Sequence, residues 1–296
     1  MKSSQAVPAP RRAAGLAWPT LLCAALALAW GCGRSQPADA NGPATARFHP
    51  GTSQYRVRAK YAESIDLSGS GEPLRHDVEF DVTYRHVARP AGGPGGCEVQ
   101  VTPIAGSSHW VGSPLGNARA VGRPGVSLVF TGNGTLARIE RFGPANRGLG
   151  AGLIPVNFAP LYLLLSGTRP VHAEAKVWTY QDRIVLSDLG TFTVEVKGKA
   201  GGTEMAGGRK YRVVETTLTL PAGEIFAALV RAADPGIVGE GREEIRARVL
   251  LDAKTGEEVT GAGTFTGEAV LHIPSLSLVQ RLGAQGTFSV DLVGTR

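Results

Sequence analysis

The sequence lacks the short motifs that usually identify an enzyme. It contains no His-Glu-x-x-His pair of zinc ligands, no Cys-x-x-Cys, no Gly-x-Ser-x-Gly turn and no Gly-x-x-x-x-Gly-Lys loop. The glycine clusters at residues 148–152 and 261–263 lack the spacing and the strand–turn–helix context of a nucleotide loop. We therefore predict no catalytic residue, no cofactor and no metal site.

The chain also lacks an apolar run long enough to cross a bilayer. Its most apolar stretch, Leu21–Trp30, is short compared with the roughly 20 residues of a membrane-spanning helix. A basic head of Lys2, Arg11 and Arg12 precedes it, and residues 13–33 carry no charge. This layout is typical of an export signal that is cleaved.

Residues 29–32, Ala-Trp-Gly-Cys, resemble the lipobox at which bacteria cleave and lipidate exported lipoproteins. We predict a signal peptide over residues 1–31 and a lipid on Cys32, which would tether the protein to a membrane. Residues 32–46 are small, polar and proline-bearing, so they predict a flexible tether. Gly33 rather than aspartate follows the cysteine, and by resemblance to lipoprotein sorting this implies the outer membrane, facing the periplasm. An uncleaved N-terminal anchor and an ordinary secretory signal remain alternatives.

The mature chain has little excess of either charge. The net charge is +6, and residues 1–31 hold three positive and no negative residues, which leaves +3 over the remaining 265 residues. Basic and acidic residues alternate along the chain, without a basic stripe that carries stacking aromatics. Nucleic acid is therefore not an expected partner.

Cysteine is scarce, with three residues in the chain. Cys23 would leave with the signal and Cys32 would carry lipid, so we predict that Cys97 has no partner. Val99 and Val101 follow it at alternate positions, which favours a buried strand cysteine over a reactive thiol.

Apolar and polar residues alternate with a period of two from residue 53 onward, which predicts a mainly β fold. In the first two strands, basic residues 56, 58 and 60 alternate with apolar ones, and acidic residues 77, 79 and 81 do the same. We predict that these strands pair as a hairpin, with the basic row beside the acidic row. The other predicted strands are Cys97–Pro103, Val126–Thr131, Thr135–Phe142, Val177–Leu186, Thr191–Lys197, Arg209–Leu220, Glu244–Ala253, Glu257–Ile273 and Gly286–Val293, with turns at Gly132–Gly134 and Lys254–Gly256.

Two segments predict helices. Ile154–Leu165 is apolar on nearly every side, which indicates burial against the sheet. Pro221–Ala232 begins with a proline and places Ile225, Phe226, Leu229 and Val230 on one face. The expected fold is therefore α+β and mainly β: curved antiparallel sheets, weakly repeated and of half-barrel shape, packed on two short helices. The predicted halves are residues 47–166 and 167–296.

The order of features from Val126 to Glu268 resembles a family of uncharacterised bacterial lipoproteins with a β-rich periplasmic body. The resemblance rests on residues 130–136 (FTGNGTL), Arg169-Pro170-Val171, Val177-Trp178 and residues 251–257 (LDAKTGE). Where the family has a glycine in its third segment, residues 172–176 have none. The resemblance implies an architecture and a location, and no site residues.

The remaining polar residues predict ordinary structural roles. No two histidines have the spacing at which neighbours share a metal, so we expect surface or capping residues: His49, His76, His86, His109, His172 and His272. Glu240, Glu243 and Glu244 alternate with arginines and predict a solvated edge. His109-Trp110 and Trp178 predict core positions rather than a pocket.

The leading hypothesis is a non-enzymatic binding or structural module that faces the periplasm, with an apolar ligand or an envelope protein as partner. A carrier with an apolar half-barrel cavity for an acyl chain is the alternative, supported by the segment Ile154–Leu165. An enzyme with unfamiliar residues is a third hypothesis.

Overall fold

A computed structural model describes residues 50–67, 72–91, 97–111, 117–119, 125–130, 136–142, 176–186, 190–231 and 234–295. Over these ranges the protein forms β-strands, one α-helix and a short 3₁₀ turn. The strands are β1 (Gly51–Leu67), β2 (Leu74–Pro90), β3 (Cys97–Val111), β4 (Asn117–Arg119), β5 (Gly125–Phe130), β6 (Leu136–Phe142), β7 (Val177–Leu186), β8 (Gly190–Ala206), β9 (Arg209–Leu220), β10 (Val238–Asp252), β11 (Glu258–Ile273) and β12 (Leu278–Thr295). The helix α1 is Ala222–Val230, and the 3₁₀ turn is Pro274–Leu276.

All the described strands belong to one sheet that joins both ends of the sequence. The order is β2-β1-β12-β11-β10-β9-β8-β7-β6-β5-β3-β4. Neighbours are antiparallel, except that β6 and β7 meet in parallel at the single pair Ile139 and Leu186. The mainly β, curved and antiparallel architecture that the alternation predicts is confirmed.

The sheet curls until its two ends meet. β3 pairs with β5 through residues 97–101 and with β2 through residues 97–111, so the pairings return to the strand from which they started. One face of the curled sheet is apolar and buried, and we call it the inner face; it carries side chains such as Tyr55, Val57 and Val82. The opposite, outer face carries the charged residues. Curling therefore removes the apolar face from water without a second sheet.

The predicted first hairpin is confirmed in pairing and register. Val57 lies opposite Val82 and Lys60 opposite Glu79. Arg56 donates to Asp81 at 2.5 Å and Lys60 to Glu79 at 2.7 Å on the outer face. Exposed pairs of this kind contribute only about 0–1 kcal/mol each. The register is therefore set by the burial of the apolar side chains.

Helix α1 packs on the inner face and covers part of it. Proline precedes the first helical residue, and Ile225, Phe226 and Val230 are buried among the side chains of the sheet. The helix lies against β10, where Gly223 meets the backbone of Gly239 and Glu240. These two glycines allow a close approach because neither carries a Cβ.

The structure supplies one of the two predicted helices. The segment Ile154–Leu165 and the turn Gly132–Gly134 lie outside the described residues, so a fold packed on two helices is not confirmed. The strands Val177–Leu186 and Arg209–Leu220 have their predicted bounds, whereas β8, β10 and β12 are longer than predicted. The division into halves at residue 167 stays a prediction.

The state of Cys97 in the structure differs from the prediction. It is fully buried on β3, as expected of a strand cysteine, but it is disulfide-bonded. The prediction that it has no partner is therefore wrong for the full chain. The other two cysteines of the sequence, Cys23 and Cys32, both lie outside the described residues.

Candidate functional site

A row of polar side chains crosses the inner face near one end of the curled sheet. Glu63 on β1 lies opposite His76 on β2 and opposite Ala284 on β12. Ala284 lies opposite Gly267 on β11, which lies opposite Glu243 on β10. The row therefore has carboxyl groups on two strands and the two smallest side chains between them. We call these five residues the inner polar row.

The inner polar row is buried, and its hydrogen-bonding capacity is not fully used. Glu63, His76 and Glu243 are 3%, 9% and 4% exposed. Among the described residues, Oε1 of Glu243 and Nδ1 of His76 have no hydrogen-bond partner, and the carboxylate of Glu63 has none beyond the neighbouring Tyr61 side chain. A buried polar atom that lacks a partner costs about 1–3 kcal/mol, and native proteins keep few of them. Such atoms indicate where a ligand or an ordered water completes the structure.

Burial also controls the protonation of the two carboxyl groups. It raises the pKa of Glu243 well above 4.5, and no neighbouring charge opposes the shift. Burial also raises the pKa of Glu63, and a hydrogen bond with the Tyr61 side chain partly offsets this shift. A raised pKa favours the neutral carboxylic acid, which can donate one hydrogen bond as well as accept one.

A second polar cluster lies toward the other end of the inner face. The rings of Tyr55 and His86 are 4.6 Å apart and inclined at 36°. His86 is fully buried, and neither ring nitrogen has a hydrogen-bond partner in the described part of the chain. Burial lowers the pKa of His86 to about 3. The buried Glu258 has a pKa raised by desolvation and then by the charge of Asp291. Burial, followed by the charges of Glu257 and Glu258, raises the pKa of Tyr55.

The inner face is apolar between these two clusters. Val57, Ala59, Val78, Val82, Phe265 and Phe288 supply its side chains. Tyr55 and Glu63 are eight residues apart on one strand, which corresponds to roughly 26 Å. The inner face therefore combines an apolar middle with a polar group at each end.

The spacing of these groups limits their chemistry. The strands that carry Glu63 and Glu243 are three apart in the sheet, which is roughly 14 Å along its surface. Within the part of the chain that the structure describes, no three His, Cys, Asp or Glu side chains come together as metal ligands. The arrangement is suited to holding a ligand by hydrogen bonds.

The outer face has hollows of a different character. One of them has a volume of about 740 Å³ and lies over five neighbouring strands from β2 to β10. Ion pairs stand at its two sides, Lys60 with Glu79 at 2.7 Å and Arg246 with Glu244 at 2.6 Å. Its floor is polar and uncharged, and includes Thr264, Thr266, Gln285 and Thr287. Because the flanking cations already have carboxylate partners, this surface is suited to solvation.

The structure separates residues that the sequence analysis grouped. Of the three glutamates predicted as a solvated edge, Glu240 is exposed and Glu244 pairs with Arg246, but Glu243 is buried on the inner face. The prediction is therefore wrong for Glu243. Its parity was the available signal, because Glu243 is in phase with Ile245, Ala247 and Val249.

The histidine prediction is corrected in the same way. His76 and His86 are buried on the inner face, in phase with Val78, Val82 and Tyr84, whereas His272 is exposed. Trp178 is buried against Gly198, as a core residue should be. The side chains of His109 and Trp110, together with His49, His172 and the predicted lipidation site Cys32, lie outside the described part of the chain.

Comparisons with known proteins place the chain in no family. No family matches it, and no curated protein does. Among solved structures, lipovitellin, from a study of its lipid–protein interactions, is similar with a TM-score of 0.45 and 10% identity over 84% of this chain and 26% of lipovitellin. A DUF1329 family protein from Desulfovibrio piger has a TM-score of 0.14 and 11% identity over 78% of this chain and 84% of its own. The chain thus spans about a quarter of lipovitellin, and both likenesses are weak.

No helix among the described residues is long and apolar enough to cross a membrane.

Proposed function

We propose that the protein is a non-enzymatic lipoprotein of the bacterial cell envelope that binds an amphiphilic ligand on the inner face of its curled sheet. A lipid on Cys32 holds it to a membrane, and the body faces the periplasm. The ligand has an apolar chain and a hydrogen-bonding head. The observation that carries the proposal is the inner polar row, whose buried polar atoms keep unused hydrogen-bonding capacity toward the described residues and lie within an apolar face.

The size of the curled sheet supports an occupied interior. Closed arrangements of about eight strands enclose a space that side chains alone can fill, and the space grows with the number of strands. Here the pairings that return to β2 run through eleven strands. Helix α1 has nine residues, about 13.5 Å of length at 1.5 Å per residue. It covers β10 and β11 but cannot reach across the whole inner face.

The polar groups indicate the kind of head that the ligand carries. A neutral carboxylic acid at Glu63 or Glu243 donates to an ester or amide carbonyl and accepts from a hydroxyl. The small residues Gly267 and Ala284 leave room between the two carboxyl groups. An apolar tail then lies along the middle of the inner face, where its burial contributes about 0.8 kcal/mol per methylene.

The proposal is tested by looking for a bound ligand. We expect native mass spectrometry of the full chain, purified in detergent from a bacterial envelope, to show a population with additional mass that organic solvent removes. Ala284→Leu should fill the gap in the inner polar row and lower the occupied fraction. Gln285→Leu, on the outer face of the same strand, is the matched control and should retain the ligand.

Two outcomes would contradict this binding role. One is a wild-type protein without additional mass, which would favour a structural module whose interior is filled by its own side chains. The other is unchanged occupancy in an Ala284→Leu protein whose thermal midpoint shows that it is folded.

The anchor has a separate test. We expect Cys32→Ala to move the protein from the membrane fraction to the soluble periplasmic fraction, because lipid is the proposed hold on the membrane. Fractionation after a salt wash measures the change. A variant that stays with the membrane would indicate an uncleaved apolar segment as the anchor.

A further inference from the structure

The antiparallel order of the strands gives the curled sheet two rims. β1 begins at the same rim at which β7 begins, the β8–β9 and β10–β11 turns lie, and β12 ends. The predicted tether joins the body at this rim, because it leads into Gly51 at the start of β1. We call it the tether rim.

The tether rim carries exposed cations that have no acidic partner among the described residues. Lys176 precedes β7, Arg209 and Lys210 follow the β8–β9 turn, and Lys254 lies in the β10–β11 turn. All four are exposed, and none forms an ion pair with a described residue. They therefore remain available to an external anion.

Acidic residues also lie near this rim. Glu204 pairs with Arg248 on the outer face. Oδ1 of Asp252 accepts the N–H groups of Lys254 at 2.8 Å and Thr255 at 3.0 Å. Glu257, in the same turn, accepts from the hydroxyl of Ser53 at 3.3 Å. Asp252 and Glu257 keep their negative charges, but the four exposed cations outnumber them, so these turns carry an excess of positive charge.

The β8–β9 hairpin extends the tether rim outward. The N–H of Ala200 donates to the carbonyl of Lys176 at 2.9 Å, at the start of β7, and residues 201–210 beyond it are exposed apart from the half-buried Glu204. The turn uses Gly207 and Gly208 with φ of 55° and 76°, which suits a tight two-residue hairpin. Met205, 66% exposed, lies opposite Lys210 near the tip.

We infer that the tether rim docks on an anionic phospholipid surface, with Arg209 and Lys210 at the headgroups and Met205 in the interfacial layer. The inference rests on the proposed lipid anchor for its orientation. Eighteen residues separate Cys32 from Gly51, and a flexible chain of that length spans roughly 23 Å. The anchor therefore holds this rim near the bilayer, where basic residues are attracted to anionic lipids and an aliphatic side chain enters the interface.

The opposite rim differs in charge and provides the control. Glu72, Arg75, Arg231 and Asp234 place both signs there. It also exposes aliphatic side chains, including Leu276. Apolar exposure alone therefore does not distinguish the rims, whereas the unpaired cations and the attachment of the tether do.

The charge test does not depend on lipidation. The full chain with Cys32→Ala is sedimented with vesicles of phosphatidylglycerol and phosphatidylcholine, and with vesicles of phosphatidylcholine alone. Arg209→Glu with Lys210→Glu should reduce binding to the anionic vesicles by at least tenfold, since each lost cation costs roughly fivefold. Arg75→Glu with Arg231→Glu is the matched control and should change binding much less. Equal losses in both pairs, or no loss in the first, would overturn the inference.

The orientation test uses the lipidated full chain in vesicles. The fluorescence emission of an environment-sensitive dye on Met205→Cys should shift to shorter wavelength, and lipid-borne quenchers should reduce it. The same dye on Leu276→Cys should keep the emission of a water-exposed dye. The reverse pattern, or equal exposure of both dyes, would overturn the docking of this rim. If the chain did not float with vesicles at all, the anchor would have failed, and the charge test would still decide the role of the rim.

Discussion

Glu243→Gln is expected to stabilise the protein at about pH 8 and to leave its stability at about pH 4 nearly unchanged. Burial raises the folded-state pKa of Glu243 above the ordinary value of 4.5. Below 4.5 both states hold the proton. As the pH rises from 4.5 toward the folded-state pKa, the unfolded state loses the proton first, so the free energy of unfolding falls by up to about 1.4 kcal/mol per pH unit. Glutamine has nearly the same size and shape as glutamate and does not ionise, so the variant does not lose this free energy of unfolding as the pH rises.

The measurement is the free energy of unfolding by urea at a series of pH values for both proteins. His86 acts with the opposite sign: its pKa is lowered from 6.5 to about 3, so stability from this group rises with pH within that interval and is constant above it. Both proteins contain His86, so its contribution cancels in the difference between their free energies of unfolding at each pH. Glu244→Gln, one residue away on the half-exposed outer side, should show no gain that grows with pH. A pH-independent difference for Glu243→Gln would show that this carboxyl group reaches water.

Gly223→Ala is expected to destabilise the protein by about 1–3 kcal/mol, the usual cost of overpacking a close contact. A Cβ at Gly223 would overlap the backbone of Glu240 on β10. To relieve the overlap, α1 must move away from the inner face, where it buries Ile225, Phe226 and Val230. The direction of the stability change is informative, because glycine to alanine in a helix without this close contact would stabilise the protein by roughly 0.5–1 kcal/mol.

Thermal or urea unfolding measures this effect. Gly294→Ala is the control, because a Cβ there meets no atom within 4 Å, and its effect should stay within about 0.5 kcal/mol. Stabilisation by Gly223→Ala would show that α1 does not lie against β10 in solution.

The sequence predicted the elements whose signal is local. The first hairpin could be derived because both strands alternate strictly and a short polar loop joins them. Arg56 with Asp81 and Lys60 with Glu79 then confirmed the predicted rows. The amphipathic pattern after Pro221 predicted α1 for the same reason.

The longer strands show where the local signal ends. β10 was predicted from Glu244, but it begins at Val238 because residues 239–243 pair with β11 although they lack alternation. β12 was predicted from Gly286, but it begins at Leu278, with β11 on one side and β1 on the other. Neighbours on both sides supply hydrogen bonds to segments whose own composition does not favour a strand.

The inner polar row was missed although its phase is visible in the sequence. Glu63 has the same phase along its strand as the apolar residues Tyr61 and Ile65, and Glu243 has the same phase as Ile245. A charged residue in an apolar phase is usually assigned to an edge or a turn, because burial of an unpaired carboxyl group is costly. Only the closure of the sheet shows that these positions have no access to water.

By itself, the sequence determined which residues alternate, and therefore where most strands lie and which side chains share a face. It also determined α1 and the first hairpin, since these depend on neighbours within a few tens of residues. The tertiary structure alone decided that β1 pairs with β12, more than 200 residues away, and that β3 returns to β2. Many alternating strands could satisfy the same pairing rules, and the choice among them depends on packing over the whole apolar face. That choice turns a charged-looking position such as Glu243 into a buried one.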